Sequence, residues 1–247
     1  MRYVVISDIH GNFPALQTVL MDAQPFDAVL CLGDVVGYGP NPNECVERLQ
    51  DFPFTCIVGN HDWGAIGRAD LLIFNNDARQ ALYWTQQELS LENRSFLSDL
   101  PATVQMEDFM LAHGSPREPI WEYLVDARSA RDNFTQFDFQ VALVGHTHLP
   151  LALEWSEEHN QARILLPDWE APLSLTGRRL ILNPGSVGQP RDGDPRASYA
   201  ILDVEQTTPV TASWEFRRIP YAVEITQERM RARGLPQRLI DRLQMGR

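Results

Sequence analysis

The first sixty residues alternate uninterrupted apolar runs with helical spacings, and this alternation restricts the fold more than any other feature of the chain. "MRYVVISD", "FDAVLCLGD" and "FTCIVGNHD" read as strands without a polar face. Between them, "NFPALQTVLMDA" places Leu16, Val19 and Leu20 on one helical face, and "NECVERLQ" reads as a second helix. A β-α-β-α-β order of this kind implies a sheet covered on both faces. "DARQALYWTQQEL" and "LENRSFLSDL" continue as helices within 64–100. Strands resume in "VQMEDFMLAHGS" and "FQVALVGHTH", separated by an aromatic segment, 116–138, expected to be irregular. From residue 150 β-patterns dominate, through "ASYAILDV" and "TASWEFRRI". The tail from Val223 to Met245 reads as two helices around the breaker Gly234–Pro236. No repeat or linker divides the chain, so an α/β fold of α+β layering in one domain, 1–247, is expected.

The polar residues fall where the apolar runs stop. The first run ends in Asp8-Ile9-His10-Gly11-Asn12, the second in Gly33-Asp34, and the third in Gly59-Asn60-His61-Asp62. Later runs end in His113-Gly114 and in Gly145-His146-Thr147-His148. Ligand sites of layered α/β folds lie beyond the carboxyl ends of strands, so these segments are expected on one rim. In extended chain, residues i and i+2 point the same way, which would let Asp8 approach one point with His10, and His146 with His148. The chain has 6 histidines, and only His159, in an acidic loop, lies outside these segments. Asp8, His10, Asp34, Asn60, His113, His146 and His148 form an oxygen and nitrogen donor set without thiolate. It is too large for one closed tetrahedral zinc site. It suits two open sites that share a carboxylate, with ions roughly 3.5–4 Å apart, an arrangement fitted to phosphoryl chemistry.

The ordered blocks "SDIHGN", "GDVVG", "GNHD", "AHGS" and "GHTH" resemble those of the calcineurin-like metallophosphoesterase superfamily. "NPGSVGQPRDGDPRASYAILD", 183–203, further resembles its small bacterial and archaeal phosphodiesterase branch. The resemblance implies two packed mixed β-sheets flanked by helices, a β-sandwich of metallophosphoesterase type. It implies one metal held by Asp8, His10 and His148, a second held by Asn60, His113 and His146, and Asp34 bridging both. The implied cofactors are two divalent transition-metal ions, manganese foremost, with iron, nickel, zinc and cobalt open. A hydroxide formed between the ions would attack phosphorus in line. His61 would assist the leaving-group oxygen as proton donor or electrostatic stabiliser. Asp62 either orients His61 and favours its charged form or is an ordinary turn or cap residue. Arg191 is either a phosphate ligand, through bidentate guanidinium geometry, or a solvated loop arginine. Asn12 reads as holding a turn. "NPGS" could bring amides near the site, and Trp121 and Tyr123 could stack on a substrate ring or serve as packing.

Composition narrows the partners. The net charge is −12, and all 21 basic residues are arginine. A field of that sign opposes broad nucleic-acid or anionic-membrane binding, although it leaves room for a local basic patch. No apolar stretch reaches the ~20 residues of a membrane span, and the N-terminus does not read as a signal peptide. Three cysteines without a CxxC pair suit a reducing compartment, so a cytoplasmic location is expected. Protein serine/threonine phosphatases of the superfamily carry an arginine clamp after the Gly-Asp block, where this chain has Gly37-Tyr38. With no positive pocket visible for a dianion, a small phosphodiester is the expected substrate. The alternatives are a phosphomonoesterase, protein or nucleotide phosphatase, and a non-catalytic metal- or phosphate-binding scaffold or receptor. A homodimer is the assembly that exposed strands and the helical tail would support.

Overall fold

The computed structural model describes residues 1–205 and 211–247. In chain order the regular elements begin with β1 (Arg2–Ile6), α1 (Phe13–Asp22), β2 (Ala28–Cys31), α2 (Pro42–Leu49), β3 (Phe54–Cys56) and α3 (Asn60–Ile66). Then come α4 (Asn76–Glu88), α5 (Leu91–Asp99), β4 (Thr103–Met106), β5 (Phe109–Ala112), α6 (Ala127–Gln136) and β6 (Val141–Leu143). The rest is β7 (Pro150–Ser156), β8 (Gln161–Leu165), β9 (Leu173–Ser174), β10 (Leu180–Pro184), β11 (Ala197–Glu205), β12 (Thr211–Ile219), α7 (Val223–Ala232) and α8 (Gln237–Met245).

These strands build two six-stranded mixed sheets, ordered β3-β2-β1-β11-β12-β9 and β4-β5-β6-β10-β7-β8. Alternation along each strand decides which layer a side chain joins. On β1, Val4 and Ile6 pack with the helices, while Val5 points between the sheets. On β10, Leu180 and Leu182 meet β1 and β2 residues between the sheets, while Ile181 packs outward with Phe134 of α6. The inter-sheet layer is closed by Leu30, Leu143 and the fully buried Trp214. Complete burial of a large apolar side chain stabilises by roughly 1.5–3 kcal/mol, so this layer fixes the relative position of the sheets. The order of layers is helix, sheet, sheet, helix, as the resemblance implies.

Three local expectations change. The segment 116–138 is not wholly irregular, because α6 runs through it. Asp126 starts that helix by accepting from the amides of Arg128 and Ser129 at 2.8 Å, and Ala130 and Phe134 form its buried face. "VQMEDFMLAHGS" is a hairpin, with β4 and β5 antiparallel around Glu107–Asp108. "GNHD" does not extend a strand: β3 stops at Cys56, and Asn60 opens α3. Among the described residues no helix is long and apolar enough to cross a membrane.

Candidate metal centre

β1, β2 and β3 run parallel in one sheet, and β5 and β6 run parallel in the other. Their carboxyl ends meet on one rim, as the motif positions imply. The residues reach it by a different route from the extended geometry expected. β1 ends at Ile6 and β6 at Leu143, and Asp8, His10, His146 and His148 all lie beyond them. Their φ angles are 53°, 50°, 64° and 60°, and that of Asp34 is 53°, so all five adopt the left-handed conformation. This region costs an L residue of order 1–3 kcal/mol, although Asp and His enter it more readily than most. Backbone hydrogen bonds between loops offset the strain: the Asp8 amide donates to Gly33 O at 3.1 Å and the His10 amide to Asp34 O at 2.9 Å. Close approach explains two glycines. A Cβ on Gly59 would overlap the Asp34 carboxylate, and one on Gly145 would overlap the Ser7 hydroxyl.

Asp8, His10 and His148 form one cluster of potential donor atoms, and Asp34, His113 and His146 form another. In the first, His10 Nδ1 donates to Val36 O at 3.2 Å, and His148 Nδ1 donates to Gln189 O at 2.5 Å. A carbonyl can only accept, so each Nδ1 carries the proton and each Nε2 is left as a lone pair. Those two Nε2 atoms face each other at 3.2 Å. Asp8 Oδ1 lies 3.2 Å from His148 Nε2 and has no hydrogen-bond donor. Three buried acceptors converging without a donor are unfavourable unless a cation stands among them.

The second cluster has the same character. His113 Nδ1 donates to Leu32 O at 2.7 Å, which turns its Nε2 toward Asn60 Oδ1 at 3.2 Å and Asp34 Oδ2 at 3.3 Å. His146 Nε2 is buried without a partner. Asp34 Oδ2 is also unpartnered, and it lies 3.7 Å from His10 Nε2 in the first cluster. One carboxylate oxygen therefore faces both clusters. Its other oxygen is held by the His61 amide at 2.8 Å. The donor set fits two cations with Asp34 between them.

Burial drives most of these groups toward their neutral forms. It pushes Asp8 up to about 7, with the Asp34 charge acting in the same direction. It holds His10 and His148 well below the usual imidazole range and His146 at about 3. His113 is the exception. Burial alone would lower it, but the Asp34 carboxylate beside it outweighs that and raises it to about 10. Without a cation, His113 thus carries the proton that compensates Asp34. Neutral imidazoles are the form that metals bind, and ligation at His113 must displace a proton.

His61 lies beside the first cluster, its ring 4.8 Å from that of His10 and 4.3 Å from Tyr38. Burial lowers it to about 4. No hydrogen bond joins the Asp62 carboxylate to the His61 ring. The Asp62 carboxylate accepts from the Gly59 amide at 2.9 Å and the Val36 amide at 3.1 Å, so it caps α3 and ties it to the Asp34 loop. His61 Nδ1 has no partner. Arg191 is brought to the site: its guanidinium is 5.9 Å from the Tyr38 ring and bonds Gln189 Oε1 at 3.0 Å. Asn12 holds a turn, accepting from the Ala15 amide and donating to Gly188 O. Trp121 packs on Phe74, whereas Tyr123 is half exposed and lies tilted over His146 with ring centroids 4.0 Å apart.

"NPGS" acts from behind. Asn183 Nδ2 donates to Gly145 O at 2.7 Å, and Ser186 Oγ donates to Asp8 O at 2.8 Å. These bonds hold loops from both sheets in register, a role that no spacing in the sequence marks. Sequence reasoning also missed a basic pocket. A cavity of about 950 Å³ is lined by Tyr38, Tyr123, Arg191 and, from α8, Arg238 and Arg242. The absence of a positive pocket, used above in favour of diesters, therefore does not hold. Arginines on a polar helix face resemble solvated charge until the helix is placed.

Comparison with known proteins agrees with the geometry. Residues 1–207 match the calcineurin-like phosphoesterase superfamily domain, so α7 and α8 lie beyond the matched span. An uncharacterized protein of Methanocaldococcus jannaschii is 39% identical over 250 residues, covering 98% of this chain and 97% of that protein. The phosphodiesterase YfcE of Escherichia coli is 28% identical over 216 residues, 82% of this chain and 88% of that one. The crystal structure of a metallophosphoesterase from Sphaerobacter thermophilus superposes with TM-score 0.88 at 45% identity, covering 100% of this chain and 99% of that chain. On the fold, the paired donor clusters and these matches together, the chain belongs to the calcineurin-like phosphoesterase superfamily.

Proposed function

We propose that this chain, as one domain over 1–247, is a phosphoesterase that uses two divalent transition-metal ions, manganese foremost, to cleave a small phosphoester, with diesters preferred. One observation carries the proposal: two buried clusters of potential ligand atoms, Asp8/His10/His148 and Asp34/His113/His146, that meet at Asp34 Oδ2. Asp8, His10 and His148 would hold one ion, Asn60, His113 and His146 would hold the other, and Asp34 stands between the two sets. When bound, such ions supply Lewis-acid charge to the phosphoryl oxygens and acidify solvent at neutral pH. The chain's own groups complete the chemistry. Backbone carbonyls behind His10, His113 and His148 fix each ring so that Nε2 faces inward. His61 borders the same space and, as a neutral imidazole, offers an N–H to the leaving oxygen. Asp62 positions that residue indirectly, through the start of α3.

Two observations favour diesters. Tyr38 stands where the superfamily's protein phosphatases place their monoester clamp, and a relative at 28% identity is a phosphodiesterase. The test is hydrolysis of bis-p-nitrophenyl phosphate and p-nitrophenyl phosphate by metal-stripped protein resupplied with Mn, Ni, Zn or Mg in turn. Metal-restored turnover with the diester faster is expected. A faster monoester moves the chain to the phosphatases. Two bound metals without turnover of either ester would leave a receptor or scaffold.

A further inference from the structure

The cavity of about 950 Å³ lies between the tyrosines that border the metal centre and α8. Tyr38 and Tyr123, whose rings meet those of His10 and His146, form its inner end. Arg238 and Arg242, one turn apart on α8, line its outer wall with Arg191. The helix is anchored to the Arg191 loop, because the Gly193 amide donates to Gly246 O at 2.9 Å.

Arg191, Arg238, Arg242 and Arg247 line the cavity, twice the number of its aspartates. The acids of the "RDGDPR" loop are engaged elsewhere: Asp192 pairs with Arg218, and Asp194 pairs with Arg218 at 2.8 Å and Arg196 at 2.6 Å. Asp77 and Asp241 also line the cavity, but Asp241 accepts from Gln237 at 2.7 Å. Among the described residues no ion pair joins Arg191 or Arg238 to a carboxylate, while Arg242 Nε donates to Arg247 O. Arg191 Nε is buried without a hydrogen-bond partner. Burial, and next the Arg191 charge, push Arg242 down to about 10. A chain of net charge −12 has thus gathered four arginines against two aspartates in one cavity, an excess of positive charge whose mutual repulsion a bound anion would relieve. Guanidinium forks match phosphate oxygens bidentately.

We propose that Arg191, Arg238 and Arg242 form a second phosphate site, so that the preferred ligand is a small phosphoester carrying an additional phosphate on the side of its scissile group that faces α8. The first phosphate's place at the metals rests on the phosphoesterase reading, while the second site stands on its own arginines. The neutral aromatic span between them, Tyr38 and Tyr123, accommodates a sugar or nucleoside linker. The small size of the cavity and the acidity of the rest of the chain favour a small molecule over a nucleic-acid strand.

The test is calorimetric titration of the metal-loaded protein with adenosine 3′,5′-bisphosphate and with adenosine 5′-monophosphate. The bisphosphate is expected to bind at least about tenfold more tightly, the value of one charge-assisted hydrogen-bonded contact. In R238Q/R242Q the ratio of the two affinities should fall to within about threefold. Arg238 is exposed, so R238Q alone should fold and give an intermediate ratio. Equal affinities in the unaltered protein, or equal losses for both ligands in the variants, would overturn the second site. Bis-p-nitrophenyl phosphate turnover, measured in parallel, separates the two readings. An intact affinity ratio without turnover removes the hydrolase and keeps the anion site, and turnover with a flat ratio does the reverse.

Discussion

The floor of the site, where the candidate metal ligands converge, and the arginine wall of the adjoining cavity are built on opposite principles. On the floor, the ligand side chains are buried and short-armed, and the rings of His10, His113 and His148 are fixed from behind by the carbonyls of Val36, Leu32 and Gln189. On the wall, long arginines stand on one helix and one loop and outnumber the aspartates beside them. Rigid placement suits groups that must hold an ion to within a fraction of an ångström. Adaptable side chains suit a surface that chooses among ligands. On the proposed function, the difference teaches that chemistry and selectivity are separable, with the first assigned to the sheet ends and the second to α8.

That division can be broken by substitution on the floor. The largest effect is expected for Asp34→Asn, because one carboxylate faces both clusters. Turnover should fall by at least about 10³-fold and metal content should drop, as read by elemental analysis and ester hydrolysis. His61→Gln should lower kcat by about 10²–10⁴-fold with both metals retained. Loss of metal in that variant would make His61 a ligand instead of a leaving-group residue.

Proton release sharpens the comparison further. His113, raised to about 10, and Asp8, raised to about 7, must both be deprotonated to ligate. Lower pH restores those protons, so metal affinity should weaken as pH falls. The loss should approach about tenfold per unit per proton, with His113 contributing from about 10 downward and Asp8 below about 7. Calorimetry in buffers of different ionisation enthalpy would count the protons released, and a pH-independent affinity would remove His113 as a ligand. Asn183→Ala or Ser186→Ala, which loosens the loops from behind, should cost about 10–100-fold in metal affinity. The smallest effect is expected from Asp62→Ala. Two buried amides lose their acceptor, so the thermal midpoint should drop by the equivalent of about 1–3 kcal/mol with metal stoichiometry intact.

The same division decides what the sequence reveals. The floor is legible because glycine-flanked Asp, Asn and His residues at strand ends carry the chemistry within a few adjacent positions. What is not legible is how they converge: Asp8, His10, His146 and His148 turn inward through left-handed backbone, which apolar patterns do not encode. Helix α6 is hidden for a related reason. Its Asp126 cap and its Ala130/Phe134 face lie in a stretch dominated by aromatics. Asp62 has two readings at the level of sequence, and its two amide contacts decide for the cap. The wall is not legible at all. Arg238 and Arg242 acquire meaning only when α7 and α8 fold back, with Leu239, Ile240 and Leu243 joining the core that holds α1.

The most direct test of the paired centre is electron paramagnetic resonance of metal-stripped protein titrated with Mn²⁺, beside the Asp34→Asn variant. Two ions per chain with an exchange-coupled signal are expected, and Asp34→Asn should lose the coupling. One isolated Mn²⁺ per chain, or two uncoupled ions in the unaltered protein, would contradict a centre joined at Asp34.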